Sequence, residues 1–345
     1  MHNSQNAGVM ATLGGGSGPN PFLTKGTCVG CHAQGGASKI VTIGGSPIPQ
    51  VMHTDSSGDL AGGNFAYIDG TKGSGASDSK GHNVIDLVDP DTLLYAPPGG
   101  IVLAFHDDGF TVNRTNLTCA GNNGCHGYRV GDANSTTVGI ASLKGAHHGN
   151  VDGRLTSATT VANSYRFLLG VKGIENTSDP WQNKDSASHN EYYGEASPAS
   201  LSCSSGTGCH INGYVQPPNN TISGFCGTCH GNFHTLEAGD SSGIGPSITS
   251  PFIRHPNDIV IKDSNEYAAY TSYSTDAPVG RQTLPALPSN KVTPGSDVVT
   301  CLSCHMAHAS DYPDMLRWDY TKMITGNAGA AAGTGCFICH TTKND

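Results

Sequence analysis

Residues 301–308 read Cys-Leu-Ser-Cys-His-Met-Ala-His. The pattern of two nearby cysteines followed directly by a histidine recurs along the rest of the chain. Cys301 and Cys304, separated by two residues and followed directly by His305, form the C-x-x-C-H motif of covalent c-type haem attachment. The two thiols add to vinyl groups on one porphyrin edge, and His305 supplies Nε2 as the proximal iron ligand. His308 cannot easily reach the other face of the same haem. We expect it to ligate a different haem, attached nearby in sequence, or to contact a propionate.

All twelve cysteines of the chain fall into six pairs, and a histidine directly follows each pair. Disulfides and zinc ribbons are the alternatives, but neither needs a histidine after every second cysteine. Six haem c groups are therefore predicted. The attachment pairs are Cys28/Cys31, Cys119/Cys125, Cys203/Cys209, Cys226/Cys229, Cys301/Cys304 and Cys336/Cys339. The proximal ligands are His32, His126, His210, His230, His305 and His340.

Two of the six motifs are wider than the others. Cys119 and Cys125 are separated by five residues, as are Cys203 and Cys209. The extra residues must loop out if both sulfurs are to meet the same two vinyl groups. The Gly, Asn and Ser residues at these positions permit such a loop.

The composition argues against an ordinary hydrophobic core. The 345 residues include 47 Gly and 19 Pro, with only 7% aromatic and 13% charged residues. Such a chain buries little apolar surface per residue, so bound haems must offset the entropy of ordering. We expect mostly irregular coil with a few short helices and very few short strands, wrapped around a stacked haem chain. Residues 1–345 should form one unit, with 1–27 as an extended arm and one helix around Pro313–Met323.

Charge and hydropathy exclude several classes of partner. Six haems with ionised propionates would take the net charge from −9 to roughly −15, so lysines and arginines are expected at propionates and nucleic-acid binding is not. No apolar run is long enough for a membrane span. Haem c is attached outside the cytoplasm, yet Met1–Ser4 begins no signal peptide. The sequence is therefore expected to be a mature secreted chain, extracellular or, alternatively, periplasmic.

Ten histidines remain as possible distal ligands. A distal ligand favours small neighbours that let its backbone approach the porphyrin. On this criterion the candidates are His82, one of His147 and His148, His255 and His308, followed by His53, His234 and His2. His106 and His189 lie next to acidic or polar residues and are expected to be exposed bystanders. Met52 is the methionine alternative.

Three stretches resemble one family. Lys80-Gly81-His82-Asn83, Arg254-His255-Pro256 and residues 301–310 are similar to stretches of the OmcS-type multihaem cytochromes of Geobacter-like bacteria. Members of that family polymerise into extracellular filaments, which implies head-to-tail contact between identical subunits here. The two wider motifs and the stretch around His147 and His148 depart from the family pattern.

The same resemblance implies a role for the N-terminus. In the family, Met-His-Asn-Ser follows a first C-x-x-C-H-Thr motif, whereas this sequence starts at Met1-His2-Asn3-Ser4. The histidine of that stretch ligates a haem of the neighbouring subunit. Carried over, His2 would act in trans on the haem of His305. The upstream haem motif would either precede Met1 in a longer chain or have been lost in this protein.

Electron transfer by six bis-histidine haems is the predicted function, and the chain is not expected to be an enzyme. Bis-histidine ligation leaves no iron open to substrate. Identical subunits, other redox proteins and extracellular electron acceptors are the expected partners. A soluble periplasmic shuttle is one alternative, and a multihaem oxyanion reductase, which needs one open iron, is another.

Overall fold

A computed structural model describes residues 28–34, 36–99, 114–129, 139–148, 152–155, 160–196, 220–230, 233, 255–325 and 333–343. It also describes the backbone of four short strands within 4–9 and 210–215. Several predicted site residues lie outside this part of the chain: His2, His106, Cys203, Cys209 and His234. The side chains of His148 and His210 lie outside it as well.

Helices are short throughout the described part. There are two α-helices, α1 (Val29–His32) and α2 (Ile222–Gly227). The other helical segments are single 3₁₀ turns, at Phe65–Tyr67, Asp78–Lys80, Gly139–Leu143, Ala146–His148, Val161–Asn163, Tyr165–Phe167, Asn265–Tyr267, Cys301–Ser303, Pro313–Met315, Tyr320–Lys322 and Gly335–Ile338. This confirms the prediction of mostly irregular coil.

Strands are equally short and pair mainly into two-stranded ribbons. In chain order they are β1 (Ser4–Gln5), β2 (Gly8–Val9), β3 (Ile40–Ile43), β4 (Ser46–Pro49), β5 (Thr118–Ala120), β6 (Gly124–His126), β7 (Gly173–Ile174), β8 (Glu191–Tyr193), β9 (His210–Ile211), β10 (Tyr214–Val215), β11 (Ile259–Val260), β12 (Gly280–Arg281) and β13 (Val298–Val299). One larger sheet has the order β11-β13-β12-β8-β7, with β12 and β8 parallel.

The four narrow motifs share one local structure. In each, the histidine N–H donates to the carbonyl of the first cysteine, which closes one helical turn. The N···O distance is 3.0 Å for His32 and Cys28, His230 and Cys226, His305 and Cys301, and His340 and Cys336. Residues three and four apart lie on one face of a helical turn, so both thiols and the imidazole point to the same side.

The wide motif at residues 119–126 folds differently. Its cysteines lie on β5 and β6, which pair in parallel, with Ala120 opposite His126. Between them the chain turns through Gly121, whose φ of 102° favours glycine, and Gly124 N–H donates to its carbonyl at 3.0 Å. The chain therefore turns back between the two cysteines, and β5 and β6 lie side by side.

Three of the four apolar clusters in the described part of the chain adjoin cysteines of the Cys-His motifs. Phe65, Ile68, Val84 and Ala309 form one cluster, and Cys119 packs against it. A second cluster packs against Cys125 and a third against Cys339. Among the described residues, no helix is long and apolar enough to cross a lipid bilayer. The fourth cluster, which includes Leu143 and Leu169, has no cysteine packed against it. The apolar side chains thus form several small groups rather than one core.

The predicted helix around Pro313–Met323 is absent from this described segment. Two separate turns, Pro313–Met315 and Tyr320–Lys322, take its place. Asp314 and Met315 have φ values of 58° and 57°, which a right-handed helix cannot accommodate. The carbonyl of Asp314 accepts from Nδ1 of His305 at 2.6 Å instead.

Candidate haem-binding sites

We name each attachment site by its proximal histidine. At four of the described sites, a second imidazole faces the proximal one. The ring centroids are 5.8 Å apart for His32 and His147, 6.0 Å for His230 and His82, 6.3 Å for His126 and His308, and 6.3 Å for His340 and His255.

These separations fit two imidazoles on opposite sides of one metal ion. A metal–imidazole bond is about 2 Å long, which places the two opposed nitrogens about 4 Å apart and the ring centroids about 6 Å apart. The Nε2 atoms of His32 and His147 are 3.5 Å apart. The chain therefore brings the predicted proximal and distal residues together at a distance that suits an iron ion.

Most facing imidazoles also present the required nitrogen. A ring whose Nδ1–H donates a hydrogen bond keeps the Nε2 lone pair for a metal. Nδ1 of His32 donates to the Pro49 carbonyl at 2.9 Å, and that of His82 to the Ala307 carbonyl at 2.8 Å. Similar bonds run from His126 to Arg166, from His230 to Pro98 and from His255 to Pro256, at 2.7 to 2.8 Å. These acceptors are backbone carbonyls, so no sequence motif marks them.

His340 differs because its Nδ1 donates to a side-chain carboxylate. Oε1 of Glu266 accepts at 2.9 Å, and Oε2 lies 3.1 Å from Nζ of Lys343. Burial acts to raise the pKa of Glu266, but hydrogen bonds from His340 and Lys343 outweigh it and lower the pKa to about 2. The carboxylate is therefore ionised at neutral pH.

His308 is held by packing rather than by such a hydrogen bond. Its ring stacks on Phe65 with centroids 5.0 Å apart, and its backbone N–H donates to the Gly62 carbonyl at 2.6 Å. Its partner, His126, lies far away in the sequence, so the expectation of a haem attached nearby in sequence was wrong. Residues 301–308 thus contribute to two sites: His305 is the proximal histidine of one, and His308 is the facing histidine of the His126 site.

Burial favours the neutral form of five of the described ligand histidines. It lowers the pKa of His308 to about 3 and that of His230 to about 4. Burial also lowers the pKa values of His82, His126 and His305. Only a neutral imidazole has the lone pair that a metal ligand needs.

Three of the four pairs line one continuous cavity. Its volume is about 1970 Å³, and its walls include His32 with His147, His126 with His308, and His230 with His82. A pocket for a single ligand is typically about 300–1,000 Å³. Protein interiors contain few voids larger than a water molecule, so a largely apolar cavity of this size fits several large bound groups.

Cysteines that belong to different attachment sites lie next to each other. Cys119 donates a hydrogen bond to the sulfur of Cys28, which lowers the pKa of Cys28 and raises that of Cys119. In the same way, Cys226 donates to Cys301, which raises the pKa of Cys226. Sulfur atoms in thioethers do not titrate. What these contacts show is that the sulfur atoms of Cys28 and Cys119, and those of Cys226 and Cys301, lie next to each other. The thiol edges of two pairs of attachment sites meet.

Two further sulfur neighbours extend this series. Burial raises the pKa of Cys125 to about 11, and Cys229 adds to the effect. Burial likewise raises the pKa of Cys304 to about 12, with a further contribution from Cys336. The five described sites therefore neighbour one another in the order His32, His126, His230, His305 and His340.

Arg129 holds a positive charge where the His126 and His230 sites meet. It is 2% exposed and donates to Oγ1 of Thr228 at 2.8 Å and to Sγ of Cys229 at 3.3 Å. Its charge acts to lower the pKa of Cys125. Arginines in general were expected at haem propionates, but no sequence motif marks Arg129.

His53 and His189 are buried in polar clusters. Nδ1 of His53 accepts from the Asp55 backbone N–H at 3.2 Å, and its Nε2 lies 3.6 Å from Asp59. A ring that accepts at Nδ1 carries its proton on Nε2, the opposite tautomer from an Nε2 ligand. His189 is fully buried and stacks on Tyr273 at 3.6 Å. The prediction of an exposed His189 was wrong.

His305 differs from the other described proximal histidines. Its Nδ1 is fixed by Asp314, as at the other sites. Among the described residues, no second imidazole faces it in the way that His147 faces His32. Met52, the methionine alternative, packs beside the cluster of Phe65.

Zinc and disulfides are the alternatives at the ten described cysteines. No disulfide joins any two of them. Within the same residues, no group of three or more His, Cys, Asp or Glu side chains converges as a metal site formed by protein ligands alone would require.

A family model of a doubled CXXCH motif matches residues 295–345, which contain the His305 and His340 sites. No curated protein matches the chain. One similar solved structure is the Outer Membrane Cytochrome S filament from Geobacter sulfurreducens, at 18% identity and a TM-score of 0.45 over the whole of this chain and 90% of that chain. Another describes OmcS nanowires from Geobacter sulfurreducens, at 19% identity and a TM-score of 0.42 over 100% of this chain and 89% of that chain.

Proposed function

We propose that the chain is a multihaem c-type cytochrome that transfers electrons through six bis-histidine haems and catalyses no reaction. The observation that carries this proposal is the set of four facing imidazole pairs at iron-ligation distance. Haem c supplies an iron that cycles between the ferric and ferrous states. The chain's residues hold that iron from both sides and exclude substrate from it.

The roles of the residues follow from their positions. The twelve cysteines bind the haems covalently, and the six histidines that follow them are proximal ligands. His147, His308, His82 and His255 are the distal ligands at the His32, His126, His230 and His340 sites. Fixed, neutral imidazoles on both faces require little rearrangement when the iron changes its charge, which suits rapid electron exchange.

The sulfur neighbours support a linear path for the electron. In this path the His32, His126, His230, His305 and His340 sites follow one another. The chain acts as one unit over residues 1–345, with 1–27 as an arm between subunits.

Carbon monoxide binding separates the conductor from a reductase. The reduced native protein should show no spectral change under carbon monoxide, because no iron has an open position. A change with the amplitude of one haem would reveal an open iron and would support the oxyanion reductase instead.

Polymerisation of identical subunits into a secreted extracellular filament is the second part of the proposal. The motif resemblance supports it, and the two similar structures are described as a filament and as nanowires. His2 of one subunit would ligate the haem of His305 in the next. Other redox proteins and extracellular electron acceptors would exchange electrons with the ends of the filament.

The variant His2→Ala tests this link. Light scattering should show shorter polymers, and mass spectrometry should show an unchanged haem content. Unaltered polymers with an unchanged low-spin spectrum would contradict the role of His2. Native material that is monomeric throughout would favour the soluble periplasmic shuttle.

A further inference from the structure

The hydrogen bond from His340 to Glu266 sets one haem site apart. At the six other described ligand histidines with an Nδ1 partner, the acceptor is a neutral backbone carbonyl. His340 is the exception, because its Nδ1 donates to a carboxylate oxygen of Glu266 at 2.9 Å.

Glu266 is anchored from both ends. It lies in the turn Asn265–Tyr267, and its backbone carbonyl accepts from the Thr341 N–H at 2.8 Å. Its side chain is 16% exposed and also contacts Lys343. The ring of Tyr267 lies against His340 with centroids 5.0 Å apart. The residues just after His340 thus hold the carboxylate against the imidazole.

An anionic acceptor changes what the imidazole does to iron. A carboxylate pulls the Nδ1 proton more strongly than a carbonyl does, and this makes Nε2 a stronger electron donor. A stronger donor and a nearby negative charge both favour ferric over ferrous iron, which lowers the reduction potential. The ammonium of Lys343, whose side chain is 52% exposed, offsets part of this charge.

We propose that Glu266 is a positioning residue that lowers the reduction potential of the haem attached through Cys336 and Cys339. The inference rests on the proposed function. The His340 site stands at one end of the series of described sites, so a low potential there drives electrons toward the His305 site.

The variant Glu266→Gln tests the inference because it keeps an acceptor for Nδ1 and removes the charge. In a potentiometric titration of the holoprotein, one component with the amplitude of one haem should move upward. We expect its ratio of reduced to oxidised iron at fixed potential to rise about tenfold, which is about 59 mV for one electron. The low-spin EPR signal of one haem should change as well.

Two further variants serve as controls. Asp319→Asn removes a carboxylate that pairs with Lys322 instead of a histidine, so the potentials should not move. Lys343→Gln removes the countercharge of Glu266, so the same component should move downward.

Haem content measured by mass spectrometry distinguishes a failure of the proposed function from a failure of the role of Glu266. Wild-type protein without covalent haem would overturn the proposed function. Full haem content with unshifted potentials in Glu266→Gln would overturn the role of Glu266 alone. If Glu266→Gln fails to fold, an unshifted titration of Lys343→Gln would overturn it instead.

Discussion

Nε2 of His32 lies 3.5 Å from Nε2 of His147, although 115 residues separate them in the sequence. His32 belongs to a C-x-x-C-H turn, whereas His147 belongs to a separate 3₁₀ turn, Ala146–His148. A single iron ion between the two nitrogens would join these distant segments. Each iron of this kind would act as a cross-link in a chain with little core of its own.

Removing His147 should open the iron of the His32 site. We expect His147→Ala to show a high-spin signal and carbon monoxide binding with the amplitude of one haem, because the iron loses its sixth ligand. His148→Ala is the matched control and should keep the wild-type spectrum. The reverse result would assign the ligand role to His148.

The attachment chemistry of the narrow motifs was readable from the sequence because it is local. Two cysteines and a histidine within five residues form one helical turn, and the structure has that turn at all four of them. Distal ligands are not local. Small neighbours pointed to His82, one of His147 and His148, His255 and His308, but only the fold shows that His147 faces His32 and that His308 faces His126.

Adding one methyl group at Gly62 should displace His308. A Cβ atom there would lie 3.0 Å from Nδ1 and Cε1 of the His308 ring, and Phe65 restrains the other side. We expect Gly62→Ala to give partial high-spin character with the amplitude of one haem. Optical and EPR spectra of the ferric protein would measure it.

Gly36→Ala is the control for glycine substitution as such. Gly36 has a φ of 123°, and a Cβ atom would meet nothing within 4 Å. We expect a loss of stability of about 1–3 kcal/mol from backbone strain and an unchanged spectrum. Equal spectra for both variants would contradict the close packing of His308 on Gly62.

The buried guanidinium of Arg281 should be important for stability. Its Nε lies 2.8 Å from the fully buried carboxylate of Glu191, and it also pairs with Asp297. Arg281→Met leaves two buried carboxylates without their cation, which should cost about 3–5 kcal/mol. Urea denaturation of the holoprotein measures this free energy of unfolding.

Lys184→Met gives the comparison for an exposed ion pair. The Lys184 side chain is 58% exposed and lies 3.2 Å from Asp179. We expect a cost of less than about 1 kcal/mol. A comparable loss in both variants would contradict the importance of burial at Arg281.

Asp55 should contribute to stability in a defined pH range. Hydrogen bonds from Ser57 and from the Lys39 backbone N–H lower its pKa from 3.8 to about 2. A lowered folded-state pKa means that the stabilisation is complete above 3.8 and is lost as the pH falls through about 2. The difference in unfolding free energy between wild type and Asp55→Asn should therefore shrink over this range. A difference that stays constant would contradict this role.

Several features of the sites depend on contacts that carry no sequence signal. Glu266 meets His340 across 74 residues, and its acidic side chain alone gives no hint of that contact. His53 and His189 looked like a ligand candidate and an exposed bystander, yet both are buried beside acidic groups. The helix expected around Pro313–Met323 does not form: Asp314 and Met315 have positive φ values, and the Asp314 carbonyl accepts from His305.

Cryo-electron microscopy of the native protein tests the central claim most directly, since it shows the iron ligands, the haem order and the assembly together. We predict polymers with a continuous haem chain and with His147, His308, His82 and His255 on the irons of the His32, His126, His230 and His340 sites. Isolated monomers would contradict the filament. An iron at any of these four sites without its facing histidine would contradict the bis-histidine conductor.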